Sequence, residues 1–250
     1  MTNSIALGFP MTEACFSYFF AAVVEQLELP PPSVVPRHCE IGSIVSDSRN
    51  NIVRWYLKET TADYLVMVDQ DHRLPTNLLE RIGNYEDPVV GALYYGRHEP
   101  HSPIAYVPNP RWQDPEGDGS PVNLWNDERV WAGDWKVGTL TPLWPSLVED
   151  WRREGKINRV LVVGGGCLAI RRDVLMDWPD GLPWFDFGHL PETGDTIGED
   201  VWFCRQVARH GYGVYVDAGI EIPHMTVQEV DHGTHRARLQ RRAMELGVPI

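Results

Sequence analysis

The residues of this chain best suited to chemistry are two acids that follow a strongly apolar segment. Asp69 and Asp71 come directly after residues 64–68, a nearly continuous run of large apolar side chains. Such a run is typical of a central parallel strand that is covered on both faces. If strand geometry continues past it, both carboxylates project the same way and repel each other unless a cation lies between them. Their oxygen atoms favour Mg²⁺ or Mn²⁺, so the pair predicts a divalent metal site.

Two further signals lie near the other end of the chain. Glu199 and Asp200 open a segment whose apolar residues recur at helical spacing as far as Gly211. Acids in a first helical turn are favoured by the helix dipole, which is a purely structural explanation, but the same dipole keeps a carboxylate ionised, as a general base requires. His224 follows two strand-like segments, 213–216 and 221–223. A single histidine is more often structural than a ligand, although imidazole does suit Mn²⁺ beside carboxylates.

Alternating strand-like and helix-like segments must position these residues. The pattern predicts strands at 4–9, 41–45, 64–68, 88–95 and 160–170, with helices at 12–27, 49–60 and 76–84 and a short helix from Arg172. It is typical of βαβ units, so we expect an α/β fold with a mixed, mainly parallel sheet flanked by helices. Ligands bind such sheets at the carboxyl ends of the strands, where Asp69 and Asp71 would lie.

Two segments lack this alternation. Residues 97–145 are rich in Trp, Pro, Asp and Gly, and we expect a long loop that covers substrate. Its tryptophans could stack on sugars or bases, or simply pack onto the domain; they are Trp112, Trp125, Trp131, Trp135 and Trp144. Residues 230–250 suggest a helical tail carrying an arginine cluster, which is either a solvated face or an anion-binding surface. The cluster comprises Arg236, Arg238, Arg241 and Arg242.

Composition narrows the class of protein. With 250 residues and 43% hydrophobic content, the chain is expected to form a single folded domain. No apolar run is long enough for a membrane span and the N-terminus lacks a basic flank, so we expect a soluble, cytoplasmic protein. The four cysteines are far apart and predict neither a zinc ribbon nor a disulfide framework. A net charge of −13 argues against nonspecific nucleic-acid binding.

Taken in order, these motifs resemble the GT-A glycosyltransferases, particularly short family-2-like members found in phage and bacterial genomes. The resemblance covers about two thirds of the chain. It is carried by residues 8–10, 48–51 (SRNN), 64–72 (YLVMVDQDH), 164–167 (GGGC), 199–211 (EDVWFCRQVARHG) and His224. It implies a single GT-A, Rossmann-like domain that uses Mn²⁺ or Mg²⁺ and a nucleotide-sugar donor such as a UDP-sugar. If the protein is phage-encoded, its location would be the host cytoplasm.

The resemblance also assigns roles to residues. It implies that Asp71 is the main metal ligand, that Asp69 contacts the ribose or a metal-bound water, and that His224 is a third ligand. Asp200, paired with Glu199, would be the catalytic base of an inverting reaction. The donor would contact a set made up of Pro10, Arg49, Asp69, Gly165 and Gly166. For Arg49 a diphosphate contact and surface solvation both stay open, and the glycines could equally mark a bulge in a strand.

The acceptor and two alternative functions stay open. A glycan, a lipid, a protein and a hydroxymethylated base in phage DNA all offer a hydroxyl group. A haloacid-dehalogenase-like, Mg²⁺-dependent phosphohydrolase also places Asp-x-Asp after an apolar strand, with the first Asp as nucleophile. A non-catalytic module that binds a sugar nucleotide is the second alternative, although it would be expected to lose either the metal-binding acids or the base.

Overall fold

A computed structural model describes residues 2–12, 36–42, 44–98, 100–113, 122–189 and 196–225, together with positions 19, 21, 23 and 194. The predicted helix at 12–27 lies largely outside the described residues. The predicted C-terminal helix at 230–250 and its arginine cluster lie wholly outside them.

A seven-stranded sheet organises the chain. Its strands are β1 Ile5–Met11, β2 Arg37–Ile41, β3 Tyr64–Val68, β4 Val89–Leu93, β7 Ile157–Val160, β9 Cys167–Arg171 and β12 Val214–Glu221. They lie in the order β2-β1-β3-β9-β4-β12-β7. Strands β1, β2, β3, β4 and β12 run in one direction, whereas β9 and β7 run in the opposite one. The predicted mixed, mainly parallel α/β sheet is therefore confirmed. Two short strands, β10 (Gly188–His189) and β11 (Thr196–Ile197), form a separate antiparallel pair.

Helices cover both faces of this sheet because its central strands are apolar on both sides. In β3, Leu65 and Met67 pack with the helices Val45–Glu59 and Glu199–Arg209, while Val66 and its neighbours on the other face pack against the helix Leu78–Ile82. The remaining α-helices of the described part are Glu128–Trp131, Pro145–Glu154 and Arg172–Met176. None of the described helices combines the length and apolarity that a bilayer crossing requires.

Several predicted boundaries are wrong for identifiable reasons. The second strand is Arg37–Ile41 rather than 41–45, and the following helix begins at Val45 rather than at Arg49. This edge strand alternates between exposed and half-buried residues, so no apolar run marks it. The apolar residues that suggested a strand include Ile41 and Ile44, which are 65% and 51% exposed.

The predicted strand at 160–170 is also wrong, because it is three separate pieces. It contains the end of β7, then β8 (Val162–Val163), and then β9, which inserts antiparallel between β3 and β4. Strand β8 pairs instead with β5 (Ala105–Pro108), which also pairs with β6 (Leu140–Pro142). The region predicted as an irregular loop at 97–145 thus contributes two strands to a small antiparallel sheet, and Trp135 from it is buried in the core.

Within β12, the side chain of Asp217 forms an ion pair with Arg81. Asp217 is fully buried and accepts hydrogen bonds from Arg81 (Nη2, 2.8 Å), from the Tyr85 hydroxyl (2.8 Å) and from the Gly219 N–H (2.8 Å). The pairing of β12 with β4 shifts its register between Asp217 and Glu221. The carboxylate therefore satisfies a backbone donor where regular ladder bonding is interrupted.

Candidate functional site

Asp69 and Asp71 lie at the carboxyl end of β3 but do not form a facing pair. The strand ends at Val68, and the chain turns so that the His72 N–H bonds the Asp69 carbonyl (3.3 Å). Strand geometry therefore does not continue through these residues, and the alternation of side chains on which the expected pairing depended is lost. Asp69 contacts Arg49, whereas Asp71 contacts His224 and Arg97.

Asp71 belongs to a compact group of potential metal ligands. Asp71, His72 and His224 each offer one ligand atom, and these atoms lie within 4.8 Å of one another. The backbone brings them together: His72 and His224 form an antiparallel bridge, and the Met225 N–H bonds the Asp71 carbonyl (2.8 Å). The structure therefore unites two of the predicted metal residues, Asp71 and His224, with His72, which the sequence analysis did not single out. Asp69 lies outside this group.

The two imidazoles are suited to bind a cation as neutral rings. The Nδ1 atom of His224 lies 3.0 Å from the Tyr95 carbonyl, which fixes the proton on Nδ1 and leaves the Nε2 lone pair available. Burial lowers the pKa of His224. Burial and the neighbouring His224 lower the pKa of His72 to about 3. The rings stack with centroids 4.5 Å apart, so neither would gain from protonation beside the other.

Arg97 lies directly on this group. Its Nε donates to Nε2 of His224 (2.6 Å), and its Nη2 forms an ion pair with Asp71. The guanidinium therefore supplies the positive charge that balances the Asp71 carboxylate in this structure. The Arg97 side chain is 47% exposed, in contrast to the 14% of Asp71.

A second, more deeply buried group surrounds Arg49. This residue is 1% exposed, so the alternative of surface solvation is wrong. Its Nη2 donates to both oxygens of Asp69 (2.9 and 3.0 Å), and its Nη1 donates to the Gly165 carbonyl (2.9 Å). Its Nε lies 3.6 Å from Glu199. The buried Arg49 guanidinium thus connects the end of β3, the glycines at 164–166 and the start of the helix Glu199–Arg209.

Glu199 and Asp200 occupy the first turn of that helix, as predicted. Burial raises the pKa of Glu199, and the Asp200 charge adds to this effect, while Arg49 opposes it. The Oδ1 atom of Asp200 accepts the N–H of Val201 (2.8 Å). Asp200 also acts electrostatically on Asp69 and on the buried Tyr94, whose pKa is raised chiefly by burial. The predicted base Asp200 therefore lies close enough to Asp69 and Tyr94, at the carboxyl end of the sheet, for its charge to affect their pKa values.

The three consecutive glycines are explained by close packing of protein side chains. A Cβ at Gly164 would lie 1.9 Å from the Tyr94 hydroxyl, one at Gly165 would lie 2.7 Å from the Arg49 guanidinium carbon, and one at Gly166 would lie 2.2 Å from His72 Nε2. Any side chain at these positions would displace one of the site residues. The roles predicted for Gly165 and Gly166 at a donor sugar stay predictions.

A cavity of 330 Å³ adjoins both groups. It extends from the carboxyl ends of β1 and β2 to Asp69, Asp71 and Arg97, and the predicted donor residue Pro10 lies in its wall. Open α/β sheets bind ligands at this place, where strand ends and the following helices diverge. The described lining is completed by Met11, Thr12, Gly42, Val45, Ser48 and Gln70.

Asn50, which the SRNN motif contains without a predicted role, and Phe185, which the sequence analysis did not single out, lie next to Arg49. The Asn50 side chain donates to the Phe185 carbonyl (2.8 Å) and accepts from its N–H (3.1 Å). The Phe185 ring stacks on Phe203 and lies 5.8 Å from the Arg49 guanidinium carbon. The position of Asn50 beside Arg49 in the SRNN segment was the available signal, but a contact across 135 residues cannot be inferred from it.

Comparisons with known proteins give structural matches only. No protein-family model matches the chain, and no curated protein matches it significantly. The solved structure of A197 from STIV is similar, with a TM-score of 0.53 and 15% identity over 90% of this chain and 86% of that one. The structure of GalNAc-T7 with UDP, GalNAc and Mn²⁺ also has a TM-score of 0.53, with 12% identity over 91% of this chain.

These matches establish the fold. The match spans 44% of the GalNAc-T7 chain, and at such low identities the similarity concerns the architecture alone. The chain has a GT-A-like α/β fold in a single domain, with a mainly parallel sheet flanked by helices, as the sequence predicted.

Proposed function

We propose that this protein is a metal-dependent glycosyltransferase that moves a sugar from a nucleotide-sugar donor to an acceptor hydroxyl. The observation that carries the proposal is the group of Asp71, His72 and His224 at the carboxyl rim, beside a 330 Å³ cavity. The fold shared with GalNAc-T7, a protein solved with UDP, GalNAc and Mn²⁺, supports a UDP-sugar as the donor. The motif order further favours a family-2-like enzyme similar to short phage and bacterial members.

In this proposal Asp71 and His224 hold the ion, with His72 as a third ligand. One carboxylate and two neutral imidazoles favour Mn²⁺ over Mg²⁺, because nitrogen ligands suit transition metals. When bound, the ion offsets the negative charge that develops on the departing nucleoside diphosphate. Asp69 lies outside this set of ligands, and Arg49 holds both its oxygens at the cavity wall. Of its two predicted roles, we therefore propose the contact with the donor and not the contact with the metal.

Asp200 is proposed as the base. Its Oδ1 is held by the Val201 N–H (2.8 Å), and we assign Oδ2 as the atom that takes the proton from the acceptor hydroxyl. Glu199 has a positioning role through its contact with Arg49 (3.6 Å). The proposed donor contacts also include Pro10 in the cavity wall and the backbone at Gly165 and Gly166.

The two alternatives are less well supported. The phosphohydrolase requires Asp69 to attack phosphorus, but two hydrogen bonds from Arg49 engage both of its oxygens. A non-catalytic module has no need for Asp200 beside the rim, and it predicts donor binding without turnover.

The first test combines metal and donor. Purified protein is incubated with Mn²⁺ and a panel of nucleotide sugars, and binding is followed by thermal shift, because a ligand stabilises the native state. Turnover is followed by release of the nucleoside diphosphate with glycan and hydroxymethylated-DNA acceptors. Asp71→Ala should lose both the Mn²⁺-dependent shift and turnover, whereas Asp180→Ala, at an exposed turn carboxylate, should keep both. Unchanged turnover in Asp71→Ala would contradict the metal assignment.

The second test separates binding from chemistry. Asp200→Asn should keep donor affinity and lose transfer, because only proton abstraction is removed. A collapse of donor affinity would instead make Asp200 a binding residue. Donor binding by the wild-type protein without turnover on any acceptor would favour the non-catalytic module.

A further inference from the structure

Arg97 makes contacts that a bound metal ion would have to replace. Nε2 of His224 has one lone pair, because its Nδ1 proton is directed at the Tyr95 carbonyl (3.0 Å). That lone pair accepts the Nε–H of Arg97 at 2.6 Å. The Nη2 group of the same arginine is ion-paired with the Asp71 carboxylate. A lone pair engaged by an N–H donor cannot at the same time coordinate an ion.

The Arg97 side chain lies at the surface, where it can move away from Asp71 and His224 without a change in the backbone around it. It follows Gly96 in a loop whose base is closed by a bridge between Tyr95 and Pro103 and by the Gly96 N–H to Ser102 carbonyl bond (2.9 Å). The base therefore keeps the Tyr95 carbonyl on His224, whereas the Arg97 side chain is 47% exposed and is held only by its contacts with His224 and Asp71. Arg97 also lines the 330 Å³ cavity.

We propose that Arg97 is a built-in competitor of the divalent ion: it occupies the Asp71–His224 pair until an ion displaces it, and it then contacts the phosphates of a nucleotide in the adjacent cavity. The inference rests on the cation site of the proposed function. It makes ion and nucleotide binding interdependent, because a nucleotide that engages the displaced guanidinium lowers the cost of displacing it. Such coupling is reciprocal by thermodynamic necessity.

The test is a titration of Mn²⁺ by electron paramagnetic resonance, which detects the free ion and needs no turnover. Arg97→Met is expected to bind Mn²⁺ about tenfold more tightly than the wild type without nucleotide, because a charge-assisted competitor is removed. Addition of UDP should increase the Mn²⁺ affinity of the wild type by a larger factor than that of the variant. Arg97→Lys, which keeps the charge without the planar fork, should fall between them.

The matched control is Arg129→Met. It removes the same charge from another arginine that is ion-paired with an aspartate, Asp127. Its Mn²⁺ affinity should equal that of the wild type, so a gain confined to Arg97→Met excludes an effect of net charge. Circular dichroism and Tm establish that each variant is folded.

The outcomes separate this inference from the proposed function. If the wild type binds Mn²⁺ and Arg97→Met binds it equally or more weakly, Arg97 is not a competitor, although the cation site stands. If neither protein binds Mn²⁺ with or without UDP, the cation site itself fails and the inference fails with it. Tighter binding by Arg97→Met but equal enhancement by UDP in both proteins would overturn the phosphate contact.

Discussion

The Arg49 group offers a sharp test of how the site is stabilised. Arg49→Met keeps an unbranched apolar stem but removes the guanidinium that donates two bonds to Asp69 and one to the Gly165 carbonyl. Breaking a buried ion pair costs about 3–5 kcal/mol because a carboxylate is left uncompensated. Asp69 keeps 28% side-chain exposure and can be partly hydrated, so we expect a loss of about 2–4 kcal/mol in the free energy of unfolding at pH 7.

The pH dependence distinguishes charge from packing. Burial already raises the pKa of Asp69 and of Glu199, and the Arg49 charge holds both pKa values down. In Arg49→Met both folded pKa values rise further above the unfolded values, so the folded state takes up protons and gains stability as the pH falls. The deficit relative to wild type should therefore be at least about 1 kcal/mol smaller at pH 5 than at pH 7.

Urea unfolding of wild type and variant at both pH values measures this difference. Arg54→Met, at an exposed position one turn along the same helix, is the control and should change stability by less than about 0.5 kcal/mol. A deficit in Arg49→Met that is the same at both pH values would refute the electrostatic explanation and leave only lost packing.

Three further predictions concern stability. The pKa of His72 is about 3 in the folded protein and 6.5 in the unfolded chain, so the unfolded chain binds a proton more readily and the folded state loses stability as the pH falls below 6.5. Between pH 7 and pH 5, the free energy of unfolding measured in urea should therefore fall by about 2 kcal/mol more for the wild type than for His72→Gln. Arg81→Met should lower the free energy of unfolding by about 3–5 kcal/mol, because the buried Asp217 carboxylate loses its cationic partner. The double variant Arg81→Met with Asp217→Leu should be more stable than Arg81→Met alone, and equal stability of the two would contradict the argument. Gly164→Ala should lower stability by about 1–3 kcal/mol through its clash with the Tyr94 hydroxyl, and the Tyr94→Phe background should relieve part of the cost in thermal unfolding.

The sequence predicted those parts of the fold whose signal is local. The uniformly buried strand Tyr64–Val68 and the helix that starts at Glu199 were predicted with correct beginnings, because an apolar run and a helical repeat mark them directly. The edge strand Arg37–Ile41 was missed since half-exposed residues leave no apolar pattern. The antiparallel insertion of Cys167–Arg171 between two parallel strands depends on contacts far apart in sequence, which periodicity does not encode.

The same distinction applies to the site. The sequence singled out Asp71 because it follows an apolar run and His224 because it follows the acidic helix, the resemblance added their roles, and the structure places the two side chains 3.4 Å apart. It missed Arg97 and His72, whose importance comes from contacts formed only in the fold. Arg49 was ambiguous in sequence because an arginine on a helix is usually solvated, and nothing local indicates the carboxylates that allow its burial.

The three consecutive glycines at 164–166 connect the two groups of buried site residues. Glycines 164, 165 and 166 lie against Tyr94, Arg49 and His72, respectively. One short piece of backbone therefore contacts both the candidate metal ligand His72 and the buried Arg49. Because the three glycines are consecutive, the position of one of these contacts fixes the positions of the other two. In the proposed enzyme, a shift of this backbone would therefore move the residues that hold the ion and Arg49, which contacts Glu199, together, and it would misalign the leaving group and the acceptor.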